Sequence, residues 1–216
     1  MPALFPEWAD SILRGVLLVG VAGLAGIPLV AMAWARSPIS TGEKSPIVQP
    51  VKFDHRHHVR DDGIDCLYCH SDARRSPSAG IPATSVCMGC HTQIWTNSPE
   101  LALVRTSALE ETPIVWQRVS NLPQHVFFNH SIHLKKGVGC VSCHGRVDQM
   151  AMVHQDQPLS MGWCLDCHRE PEKYLRPREE ITNMEWKPAR PQLEIGRELV
   201  STYDVHPTTD CSGCHR

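Results

Sequence analysis

Phe128-Asn129-His130-Ser131-Ile132-His133-Leu134-Lys135-Lys136-Gly137-Val138-Gly139-Cys140-Val141-Ser142-Cys143-His144 carries two signals in one run. Its end, Cys140-x-x-Cys143-His144, has the spacing at which two thiols add across the vinyl groups of a porphyrin and the next His reaches the iron. Its beginning, Phe-x-His-x-x-His, sets two more imidazoles at i and i+3, on neighbouring rows of one helical face. The same pattern stands earlier in the chain. Phe53-Asp54-His55-Arg56-His57-His58 is followed eight residues after His58 by Cys66, and His133 is followed seven residues later by Cys140. An internal repeat of this kind governs any fold assignment.

The 216 residues hold 10 Cys, and all of them fall in five Cys-x-x-Cys-His motifs. These are Cys66 and Cys69 with His70, Cys87 and Cys90 with His91, Cys140 and Cys143 with His144, Cys164 and Cys167 with His168, and Cys211 and Cys214 with His215. None is left over for a disulfide. Zinc ribbons and thioredoxin-like pairs use the same Cys spacing, but neither needs a His after every pair. His supplies 13 of 216 residues, so five chance occurrences have odds of about one in a million. The motifs therefore predict five covalent c-type haems. A net charge of −2 gives no electrostatic footprint for nucleic acid.

Five irons have ten axial positions, and the motifs fill the proximal five with His70, His91, His144, His168 and His215. The repeats offer four distal ligands, His55, His58, His130 and His133. An i, i+3 pair suits two different haems, one local and one further along the chain. Phe53 and Phe128 are expected to pack on porphyrin edges. His57 reads as a solvated residue, because Ile132 takes its place in the second repeat, and His125 reads as a surface group. One iron remains open, with Met161 and Met150 ahead of His154 and His206. A Met ligand raises that haem's potential above bis-His neighbours, and a His keeps it low.

Residues 15–35 run without a charge between Arg14 and Arg36, a length of about 31 Å as a helix and enough for a bilayer core. Phe5, Trp8 and Trp34 stand where interfacial aromatics belong. Small-residue sites at Ala31–Ala33 and Ala33–Ala35 fit a cleaved leader. The long apolar run and the acidic flank of Glu7 and Asp10 instead predict a retained anchor. The expected organisation is an anchor over 1–36, a Pro-containing tether over 37–50, a dihaem module with connector over 51–122, and a trihaem module over 123–216. Secondary structure should be mostly α and irregular, with few strands, because about 36 residues per haem leave the porphyrins as much of the core. A short helix is expected from Pro99, a strand or extended segment over Ile114–Val119, and helix over 181–202.

The repeats and motifs resemble the class III multihaem cytochromes, the c3 and c7 group. The single membrane helix, the two-plus-three split and Pro158-Leu159-Ser160-Met161-Gly162-Trp163-Cys164-Leu165-Asp166-Cys167-His168-Arg169 narrow this. Together they resemble the pentahaem cytochrome c subunit of bacterial alternative complex III, a quinol-oxidising membrane complex. That resemblance covers nearly all of the chain. It implies an iron–sulfur subunit related to molybdopterin oxidoreductases and multi-helix quinol-binding membrane subunits as partners, with a monohaem cytochrome c or copper protein as acceptor. It also implies one haem with His/Met ligation. Haem attachment outside the cytoplasmic membrane places the soluble part on the exterior, periplasmic side. On this reading the chain relays electrons and is not catalytic alone. A tetrahaem NapC/NrfH-type quinol dehydrogenase acting on its own is the alternative. A catalytic multihaem enzyme is disfavoured, since it needs an open iron or a proximal Lys and all five motifs end in His.

Overall fold

In the computed structural model, residues 5, 6 and 8–215 are described. Residues 1–4 and Glu7 of the expected anchor, and Arg216 of the expected trihaem module, lie outside them. The chain divides into two compact units between Glu43 and Lys44.

The first unit is built on α1, Trp8–Ala35, whose 28 residues span about 42 Å. None of its residues is buried, and its apolar side chains point in every direction. A helix apolar on all faces suits lipid rather than one protein contact, and α1 is long and apolar enough to cross a membrane. Pro28 lies inside it, and membrane helices tolerate this where soluble ones kink. Arg14 pairs with Asp10 one turn away at 2.7 Å. The helix ends at Ala35, and a single turn, Pro38–Thr41, is closed by Gly42 at φ 74°. That left-handed conformation favours glycine.

The second unit is short helices joined by irregular chain. The longer ones are α2 (Thr84–His91), α3 (Ala102–Glu110), α4 (His130–Lys135), α5 (Cys140–His144), α6 (Met161–Arg169) and α7 (Gln192–Thr202). Among the described residues there is no strand, only two antiparallel bridges, Val126 with His215 and Val138 with Leu175. The mostly helical and irregular fold expected from the sequence is thus what the chain adopts. From the stretch expected as tether, the Lys44 and Ile47 amides donate to the carbonyls of Gln155 (2.8 Å) and Val153 (3.1 Å). The short helix begins as expected at Pro99, with a 3-10 turn capped by Ser98 before α3. Ile114–Val119 forms no strand, and the Trp116 N–H turns back to the Ile114 carbonyl at 3.1 Å. The Gln49 side chain instead bonds both the N–H and the carbonyl of Gln117, at 2.9 Å each. Helix over 181–202 is confined to α7, because Pro188 and Pro191 stop any earlier winding.

Three small apolar clusters replace a single core. Val51, Leu101 and Val104 gather Met88 and Trp116. Ala73, Leu134 and Ile181 gather Leu67. Leu175, Leu199 and Val205 gather Val138 and Tyr203. Only Leu175 is almost wholly enclosed, at 1% exposure. A unit of this size ordinarily buries one continuous core; here Cys87, from one Cys-x-x-Cys-His segment, packs against the first cluster. Gly196 lets α7 close onto the Pro171–Lys173 turn, since a Cβ there would lie 1.8 Å from the Glu172 carbonyl oxygen.

Candidate haem-ligating sites

The two repeats fold alike. Phe53 meets His55 edge-on at 4.8 Å and stacks on His58 at 4.4 Å. Phe128 meets His130 edge-on at 4.7 Å and stacks on His133, also at 4.7 Å. Each Phe therefore packs on its two imidazoles and fixes their divergence. The second repeat is α-helical, α4, with Asn129 Oδ1 accepting the Ser131 N–H at 2.9 Å as a cap. The first winds as a π-turn, Arg56–Asp61, in which the Asp62 N–H reaches the His57 carbonyl. Its spacer to the motif is one residue longer, and a π-turn absorbs one extra residue.

These segments bring imidazoles from the repeats against imidazoles from the motifs. Ring centroids are 6.2 Å apart for His58 and His91, 6.3 Å for His130 and His144, and 6.1 Å for His133 and His168. The His130 and His144 planes are within 4° of parallel, yet rings in stacking contact lie much closer. A metal–imidazole bond is about 2 Å, and the bonding nitrogen lies about 1 Å from the ring centre, so two imidazoles trans on one metal hold centroids about 6 Å apart. The observed spacing would admit one metal between the two imidazoles of each pair.

The ring nitrogens are prepared for this. Nδ1 lies on a backbone carbonyl in His58 (Asp54, 3.1 Å), His70 (Gly80, 2.9 Å), His91 (Ile94, 3.1 Å), His130 (Pro77, 2.8 Å), His133 (Asn129, 2.7 Å) and His168 (Thr208, 2.7 Å). A carbonyl only accepts, so each Nδ1 carries the proton and each Nε2 keeps its lone pair. This is the carbonyl-oriented tautomer typical of metal-ligating His. His55 sits beside His70. Burial first, then His70 and His58, push its pKa down to about 4, and its Nδ1 is buried without a hydrogen-bond partner. Burial, then His130 and His70, likewise push His144 down to about 4. Burial lowers His133, against a raising bond to Asn129. Buried neutral imidazoles are good ligands and poor surface groups.

The cysteines form no disulfide, and among the described residues no three His, Cys, Asp or Glu side chains converge as ligands to a bare metal ion. Each pair spans one helical turn, with Cys66–Cys69 opened by Asp65 Oδ1 on the Leu67 N–H at 2.8 Å. The Cys66 thiol pKa is raised and that of Cys140 lowered, each chiefly by the other, and Cys66 Sγ lies 3.9 Å from the Thr182 carbonyl. Burial and then Cys87 raise Cys69. Burial, then Cys167 and Cys164, push Cys143 up to about 12. Burial and then Cys214 raise Cys164. Thioether sulfurs do not titrate, so what persists after haem attachment is this adjacency.

The four residues expected to compete for the last iron are not brought against a motif His by any ring contact or hydrogen bond. Met161 opens α6 and is 63% exposed. Met150 is buried, 8% exposed. His154 lies near Asp156, whose pKa is lowered chiefly by Lys44. His206 turns Nε2 onto Asp204 Oδ1 at 2.7 Å and is 82% exposed. The His57 ring faces that of Trp95 at 6.2 Å, with planes 15° apart, beside Asp61 and Asp62. His125, read from sequence as a surface group, is exposed, and its ring lies 5.6 Å from that of His215. No motif marks it; its place comes from the bridge between Val126 and His215.

Residues 126–216 match the family of cytochrome c7 and related cytochrome c, a match that covers less than half of the chain. The chain is also similar to the multiheme cytochrome c subunit of menaquinone reductase from Nitratidesulfovibrio vulgaris (strain Hildenborough), with 33% identity over 119 residues. The match covers 55% of this chain and 54% of the relative, so the chain spans about half the length of the curated relative it matches.

Proposed function

We propose that this chain is a membrane-anchored pentahaem c-type cytochrome, carrying electrons between a quinol-oxidising membrane complex of the alternative complex III type and an exterior acceptor. The observation that carries the reading is the set of repeat imidazoles standing about 6 Å from motif imidazoles, each beside its Cys pair. The five Cys pairs hold the haems covalently. His70, His91, His144, His168 and His215 are the proximal ligands, and His55, His58, His130 and His133 are distal ligands to the first four sites. When bound, each haem supplies a one-electron centre whose potential follows its axial ligands and burial. The protein's part is to fix ligands, exclude water and set the sequence of sites. Two ligands from one turn tie neighbouring sites together, His55 with His58 and His130 with His133.

Those ties and the mutual influence of neighbouring thiols favour one linear order. The Cys87 site adjoins the Cys66 site through Cys69. The Cys66 site adjoins the Cys140 site through their thiols, and His130 Nδ1 on Pro77 reinforces that joint. The Cys140 site adjoins the Cys164 site through Cys143. The Cys164 site adjoins the Cys211 site through Cys214 and through His168 on Thr208. The dihaem part, 51–122, and the trihaem part, 123–216, thus meet at the Cys66 and Cys140 sites, and the wire ends at the Cys87 and Cys211 sites.

The anchor is α1, with the haem-bearing unit on the periplasmic side of a bacterial cytoplasmic membrane. The partners are an iron–sulfur subunit like the molybdopterin oxidoreductases, multi-helix quinol-binding subunits, and a monohaem cytochrome or copper-protein acceptor. The relative's name, a menaquinone reductase, favours a second reading in which electrons run toward the quinone. Stopped-flow mixing of the purified complex with menaquinol, and of the isolated chain with menaquinol, separates the possibilities. Reduction in the complex alone supports the relay. Rapid reduction of the isolated chain indicates a self-sufficient quinol dehydrogenase. Reoxidation of a dithionite-reduced complex by menaquinone supports the second reading.

A further inference from the structure

The Cys211 site is the one whose distal ligand the repeats do not supply. We infer that His125 is that ligand, so that the fifth haem is bis-His and no Met binds iron in this chain. The inference rests on the five-haem reading above.

Three observations converge. The His125 and His215 rings lie 5.6 Å apart with planes 25° from parallel, close to the spacing of the three other ring pairs. The backbone imposes this approach. Val126 bridges antiparallel to His215, and the Phe127 N–H donates to the Cys214 carbonyl at 2.8 Å. Two ladder contacts therefore fix the register of His125 against the motif, across 90 residues of chain. Finally, one rival is held elsewhere. The Nε2 of His206 is engaged by Asp204, whereas the imidazole in ring contact with His215 is that of His125.

The arrangement has an economy that the pairwise motifs do not reveal. His125, His130 and His133 lie within nine residues and serve the Cys211, Cys140 and Cys164 sites in turn. One short segment thus laces the trihaem part together, and its antiparallel contact with the chain end closes the Cys211 site. The extended backbone before Asn129 lets His125 diverge from the α4 pair, which a continued helix could not do.

The test uses the full-length holoprotein and the variants His125→Ala, His125→Met and Met161→Leu. Intact mass and pyridine haemochrome count the haems. Near-infrared magnetic circular dichroism reports the ligand pair, and ferric spectra report spin state. Expected for the parent are five haems, all low-spin and none with a His/Met charge-transfer band. Expected for His125→Ala is one haem of five converted to high-spin and restored to low-spin by added imidazole. His125→Met should gain a single His/Met band, and Met161→Leu should match the parent. A His/Met band in the parent that disappears in Met161→Leu overturns the assignment, as does a fully low-spin His125→Ala. These outcomes leave the five-haem reading standing if the mass still shows five haems. A parent mass short of the Cys211 haem overturns both.

Discussion

His130 and His144 lie with ring planes 4° apart and centroids 6.3 Å apart, while His130 Nδ1 is fixed by the Pro77 carbonyl at 2.8 Å. The fixing group comes from the dihaem part and the opposing ring from the trihaem part. One side chain therefore faces a motif imidazole and joins residues 51–122 to residues 123–216.

Substitution His130→Ala should remove one axial ligand and nothing else from the haem count. One haem in five is expected to become high-spin and to recover with external imidazole, as ferric absorption and electron paramagnetic resonance will show. Because His130 also grips the Pro77 loop, unfolding should begin at lower denaturant by about 1 kcal/mol, the usual net worth of such a bond. An unchanged low-spin spectrum rules His130 out as a ligand.

Phe128→Ala should disturb two haems rather than one. The ring touches both His130 and His133, and these imidazoles belong to the Cys140 and Cys164 sites. Its removal leaves both free to rotate, with a stability loss of about 2–3 kcal/mol for a half-buried ring. Potentiometric titration should show two midpoints shifted and three retained, and Phe53→Ala should shift the other repeat's pair. A shift at one site only contradicts the shared wedge.

Much of this was local and therefore readable in sequence. The charge-free run over 15–35 is enough to place α1, though its start at Trp8 takes in polar residues that periodicity alone excludes. The Pro99 helix start carries its own cap. Other features are not local. Proximity to Cys164 singled out Met161 in the sequence; in the fold Ser160 caps α6 and Met161 takes its first turn. Conversely, His125 has no motif, since its relation to His215 is a long-range bridge that leaves no periodic trace. Helix over 181–202 fails at Pro188 and Pro191, where ring geometry overrides the apolar pattern.

Acid should loosen the 146–148 turn in a defined window. Asp148 is buried, 5% exposed, and takes two bonds from Arg146, at 2.8 and 2.6 Å, while the same Arg reaches Glu185 at 3.0 Å. The bonds from Arg146 are the largest cause holding the Asp148 pKa below the usual 3.8, with Arg60 a lesser one. A depressed folded pKa means the contribution is complete above the unfolded value and lost as pH falls through the folded one. The parent should thus exceed Asp148→Asn in stability by about 1 kcal/mol at neutral pH, the gap closing below about pH 4. Paired melts from pH 7 down to about pH 3 check this; a gap constant with pH removes the linkage.

Gly196→Ala gives a prediction whose sign is itself diagnostic. In a helix interior, Gly→Ala ordinarily stabilises by about 1 kcal/mol. Here the new Cβ would stand 1.8 Å from the Glu172 carbonyl oxygen and 2.6 Å from its carbon, both backbone atoms that cannot swing aside. The same turn is gripped by the Gln192 amide, which donates to the carbonyls of Glu172 (3.1 Å) and Leu175 (2.8 Å). To admit the methyl, α7 must lift from Pro171–Lys173 and expose part of the Leu175, Leu199 and Val205 cluster. Overpacking of this kind costs about 1–3 kcal/mol, outweighing the helical gain and lowering Tm by about 2–8 °C for a chain of this length. Haem content should stay at the parent level, because no ligand lies on α7. A variant that melts higher than the parent means that α7 does not seat on this turn.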